Sequence, residues 1–216
     1  MLGGMDESPR VPLPEEAEHR LRLVAGWIGL AWCALYGWFS IVRGGDVPVL
    51  WFMQLAVHEV GHRVFAPFGD YTMYLMGSGS EILVPLLIGI GCIVWRSKRD
   101  LIAAGMCGAV AAGAFVHTAA YMADAPRGEM TLIGGGESDW LIIFDRYWDA
   151  LYKADGYAAR MRTAGLVVWL ASVGLVVAGM VLISRRAAAA EHADEPVATA
   201  TPRRPLRSVD PRDMWR

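Results

Sequence analysis

Charge is scarce in this chain. Asp, Glu, Lys and Arg supply only 19% of its 216 residues, where soluble domains use about a quarter. The 20 basic residues nearly balance 22 acidic ones, leaving a formal charge of -2, so there is no basic excess to attract nucleic acid or a strongly acidic partner. Cysteine is scarce as well. Cys33, Cys92 and Cys107 each fall inside an apolar run and show no paired spacing of a zinc ribbon or redox motif, so they read as small core hydrophobes. No internal repeat is present. A secretory signal peptide is not expected, because a long acidic stretch (Asp6, Glu7, Glu15, Glu16, Glu18) precedes the first apolar run and no small-residue cleavage site follows it.

What the chain has in abundance is apolar sequence, 55% of residues with a mean hydropathy of +0.33, gathered into long runs. About twenty consecutive apolar residues at 1.5 Å each cross a hydrocarbon core of roughly 30 Å. The runs predict spans at 23–42, 47–64, 82–95, 101–122 and 164–184. In the fourth, Gly105, Gly108 and Gly113 allow close helix approach. Residues 138–153 place Trp140, Ile143, Phe144, Tyr147, Trp148 and Leu151 at three-and-four spacing, which predicts an amphipathic helix lying in the headgroup layer. The expected fold is therefore an all-α polytopic membrane protein with about five transmembrane helices and one interfacial helix. A polar N-terminal segment (1–22) precedes this domain (23–184), and an Ala-, Pro- and Arg-rich tail (185–216), expected to be disordered, follows it. Five crossings, with basic clusters at 96–99 and 185–186 on one side, put the C-terminus in the cytoplasm and the N-terminus outside.

One motif carries chemistry. In His58-Glu59-Val60-Gly61-His62 the two histidines stand one helical turn apart on the same face, so both imidazoles can reach one Zn²⁺ at about 2.0–2.1 Å. Glu59, next to the first ligand, can act on a water at that metal as general base and later protonate a leaving amine. Ionisable groups inside an apolar span cost several kcal/mol unless they face a cavity or a metal. Catalytic zinc usually takes three protein ligands, so a third donor is needed. Asp124, which ends the stripe His117, Tyr121, Asp124 on the fourth span, is the first choice. His117 and Asp139 are alternatives for the third ligand or for orienting an imidazole, and Asp155 is a further candidate.

Gly77-Ser78-Gly79-Ser80 has two readings. As an extended segment its free backbone groups would pair with a substrate strand, making these four residues substrate-binding. As a turn it would cap the third span, with Glu81 favoured at the helix N-terminus.

The order of these elements resembles the site-2 protease class of intramembrane zinc metalloproteases. More closely, it is similar to a set of small bacterial membrane proteins with HExGH, a Phe and Gly loop, a GGS-like element, a Pro-containing span and Tyr-x-x-Asp-Ala. The corresponding stretches here are His58–His62, Phe65-Ala66-Pro67-Phe68-Gly69, Gly77–Ser80, Val84-Pro85 and Tyr121-Met122-Ala123-Asp124-Ala125, covering about residues 47–140. The resemblance implies zinc held by His58 and His62, Glu59 as base, a membrane-associated protein or peptide substrate, and residence in a bacterial plasma membrane. Two departures stand out. The Asn-Pro-Asp-Gly type segment of better known members is absent, and Ser138-Asp139-Trp140 stands where the small relatives tend to have His-Asp-Trp. The expected function is hydrolysis of peptide bonds of a membrane-associated protein; the alternative is a non-catalytic zinc-binding membrane protein that holds a partner.

Overall fold

The computed structural model describes residues 15–95, 100–131 and 136–194. Helix accounts for 86% of the described residues, which contain no strand. The long elements are α1 (Glu15–Tyr36, continued by a π-helical stretch Gly37–Val42), α2 (Trp51–Phe65), α3 (Asp70–Val94), α4 (Leu101–Asp124) and α6 (Ala154–Asp194), with a single helical turn, α5 (Asp139–Ile142), before α6. Apolar runs without a polar face fold as helices that satisfy their own backbone, which a bilayer requires. Trp27, Leu87, Val94 and Leu170 point outward, each more than half exposed, the arrangement of a bundle whose solvent is lipid.

Four helices are long and apolar enough to cross a membrane: Glu16–Val42, Asp70–Val94, Leu101–Asp124 and Leu151–Ala189. This corrects the expectation of five. The second predicted span is the 15-residue α2, about 22 Å long and well short of a roughly 30 Å core.

The helix directions agree with this. Gly26, Gly29 and Gly37 of α1 lie against Met180, Val176 and Trp169 of α6, so these helices are antiparallel. Trp32 donates to the Met106 carbonyl at 3.2 Å and Tyr36 lies against Gly113, so α1 and α4 are parallel. α3 is antiparallel to α4, through the short connection at 95–100, and to α2, where His62 meets Met73 and His58 meets Glu81. By these relations α2 runs in the same direction as α1 and is not its return. The segment between them folds back into the bundle: Val47 is 4% exposed in one buried cluster with Cys33, Tyr36 and Ala109.

Two further expectations are corrected. Residues 77–80 are neither an extended strand nor a cap, but lie inside the unbroken α3, which begins at Asp70 rather than near residue 82. The 138–153 segment is not a surface-lying helix. It comprises α5, a π-helical stretch (Ile143–Tyr147) and a 3-10 turn (Leu151–Lys153). Ile143 and Phe144 are fully buried and Trp140 is 4% exposed. Trp140, Phe144, Trp148 and Tyr157 pack ring against ring, tilted or T-shaped, with centroids 5.4–6.1 Å apart, and packing them against α4 and α6 removes more apolar area from water than the interface would. Of the predicted tail, residues 185–194 continue α6, and 195–216 lie outside the described residues, as do 1–14 of the N-terminal segment and the basic stretch 96–99.

Candidate metal centre

The site is built where α2 packs on α3. Gly61, inside the motif, brings the two backbones together: a Cβ there would run into the Met76 carbonyl and sit 2.5 Å from Ser80 Oγ. Gly77 does the reciprocal service on α3. A Cβ at 77 would sit 2.7 Å from His62 Nε2 and 2.8 Å from His58 Cε1, so only glycine leaves room for the two rings. The Gly-Ser run thus supports the site through packing. Ser78 serves a third element, its Oγ accepting from Trp140 Nε1–H at 3.1 Å.

That bond, and a 3.3 Å bond from the Asp139 backbone N–H to Tyr121 Oη, position the start of α5. Asp139 is thereby delivered to the histidines. His58 Nε2 lies 3.1 Å and His62 Nε2 3.2 Å from Asp139 Oδ2, and the two Nε2 atoms are 3.0 Å apart. The outer ring nitrogens are both engaged. His58 Nδ1 is 2.7 Å from Glu81 Oε1, and His62 Nδ1 is 2.8 Å from the Met73 carbonyl. A carbonyl only accepts, so His62 Nδ1 carries a proton and its Nε2 presents a lone pair in the neutral ring; Glu81 imposes the same tautomer on His58.

Three donor atoms therefore converge with edges of 3.0–3.2 Å. A tetrahedral site with bonds of about 2.0–2.1 Å has edges of about 3.3 Å. A proton on one nitrogen serves one of these contacts, whereas one cation serves all three. His58, His62 and Asp139 form a largely buried group able to hold a metal ion.

No family model, curated protein or solved structure matches the chain. The reading of the site stands on its geometry.

The carboxylate that joins the two histidines is Asp139, which sequence reasoning ranked behind Asp124. The Asp124 carboxylate instead accepts from the backbone N–H groups of Glu129 and Met130, at 3.0 Å each, and caps the turn after α4. His117 also lies outside the donor group, its Nδ1 2.9 Å from Asp46 Oδ1. Asp155 is paired with Arg127 at the surface. Glu59 is exposed on α2 beside His58. Glu81 and Met73 went unnoticed as partners of the histidines. A signal for Glu81 existed: it lies four residues after Gly77 in an apolar run, and Met73 four before, so all three share one face of α3.

Proposed function

We propose that the protein is a membrane-embedded zinc metallopeptidase acting on a membrane-associated polypeptide, with His58, His62 and Asp139 as the protein ligands. The observation that carries the reading is the convergence of two Nε2 atoms and one carboxylate oxygen on a common point, the three-ligand set of hydrolytic zinc sites. When bound, zinc supplies Lewis acidity that polarises a carbonyl and acidifies water. Glu59 follows the first ligand on α2 and has no hydrogen-bond or ion-pair partner among the described residues, so its carboxylate can take a proton from water and return it to the leaving amine. Glu81 and the Met73 carbonyl keep the imidazoles turned inward. We place the C-terminus in the cytoplasm of a bacterial cell.

The test uses the full chain in detergent, with zinc counted per chain and cleavage of a solubilised transmembrane peptide followed. The expected result is one zinc per chain for the wild type and for Glu59→Gln, cleavage lost in Glu59→Gln, and both metal and cleavage lost in His58→Ala. Well-folded wild type without metal overturns the proposal. Metal with no cleavage that Glu59→Gln abolishes selects the alternative, a zinc-binding protein that holds a partner.

A further inference from the structure

Apart from Asp70 in its first turn, Glu81 is the one charged residue of α3, and it is 3% exposed near the middle of the helix. One oxygen meets His58 Nδ1 at 2.7 Å, and the other, Oε2, is enclosed with no hydrogen-bond partner in the described structure. A buried carboxylate costs several kcal/mol unless opposite charge offsets it. Fixing a ring does not require that cost, and the site contains its own control: His62 is held equally closely, at 2.8 Å, by the neutral Met73 carbonyl. What Glu81 adds is charge. Among the described residues no Lys or Arg is paired with it, and the donor group around His58 contains one further carboxylate, Asp139. Two carboxylates with two neutral imidazoles carry two negative charges, which one divalent cation cancels.

We propose that Glu81 is a positioning residue of the metal centre: through His58 it sets the Nδ1–H tautomer that leaves Nε2 for the metal, and its charge, with that of Asp139, matches the pocket to a divalent ion. The proposal rests on the metal-binding part of the functional reading and is independent of peptidase activity. Carboxylate partners of metal-binding imidazoles raise ligand basicity, and their loss typically weakens metal binding about 10–100-fold. Glutamine at 81 retains an oxygen to accept from Nδ1 and removes the charge, while alanine removes both.

The experiment titrates Zn²⁺ and Co²⁺ into the metal-stripped full chain in detergent, against a chromophoric chelator. Zn²⁺ affinity is expected to fall about 10-fold in Glu81→Gln and about 100-fold in Glu81→Ala, with helical circular dichroism unchanged. The Co²⁺ ligand-field bands of Glu81→Gln are expected to shift even at saturation, a signature that a residue important only for packing would leave alone. Should the variants fail to fold, ¹⁵N imidazole spectra of the zinc-loaded wild type decide, with a proton on His58 Nδ1 and the metal on Nε2 as the expected result. Unchanged affinity and bands in Glu81→Gln, or metal on His58 Nδ1, overturn the role of Glu81 while leaving the metal site standing. Folded wild type that binds neither ion removes the metal site, and the role of Glu81 with it.

Discussion

A methyl group at position 77 would stand 2.7–2.8 Å from both imidazoles, and no helix backbone yields that much without moving. Gly77→Ala is therefore expected to push the rings off their common point. The overpacking costs about 1–3 kcal/mol, and zinc affinity should fall at least about tenfold while the chain stays helical, as read by metal titration beside circular dichroism. The two aspartates separate equally well. Asp139→Asn should sharply weaken zinc binding, because Oδ2 is one corner of the donor triangle. Asp124→Asn should leave zinc in place and lower stability by about 1–3 kcal/mol, since Asp124 satisfies two backbone donors. Zinc lost from the Asp124 variant and retained by the Asp139 variant would reverse the assignment. The histidine pair was legible in the sequence because helix geometry alone brings residues four apart together. Asp139 was not, since it lies 81 residues from His58, and Asp124 and Asp139 cannot be ranked by spacing across a long connection.

At the level of elements, the site depends on a short segment held by aromatic packing. Trp140 follows the third donor directly, is 4% exposed and donates to Ser78. Trp140→Ala is expected to cost about 3–5 kcal/mol and to release Asp139 from the histidines. Zinc affinity should fall and protease nicking of the 125–138 connection should rise; neither change would show that the segment is held by something other than its indole. The periodicity of 138–153 correctly marked an apolar face, but period does not say whether that face meets lipid or protein. Close packing on α4 decided for protein. The same ambiguity led to an expected break at 77–80, where glycine and serine serve helix approach instead of turn formation.

Across the whole molecule, the parallel course of α1 and α2 changes the number of crossings. Four crossings put the start of α1 and the end of α6 on one side of the bilayer, not on opposite sides as five would. The ends of α3 and α4 that flank the basic stretch 96–99 lie on that side too, with Arg20, Arg22, Arg185 and Arg186. With four crossings these basic residues share one side, and from the positive-inside tendency we propose that it faces the cytoplasm. Reporter fusions at both ends are expected to read cytoplasmic, and opposite readings would restore a fifth crossing. The candidate metal centre, beside the last turn of α4 at Tyr121, would then lie toward the other face.

The helical character, the apolar exterior and the two-histidine motif followed from the sequence alone, because hydropathy and helical periodicity act over one or two turns. The third donor, the partners of the imidazoles, the burial of the aromatic segment and the direction of α2 were decided only by tertiary packing. Each depends on which small residues let particular helices touch, and such contacts join positions tens of residues apart that local periodicity does not relate.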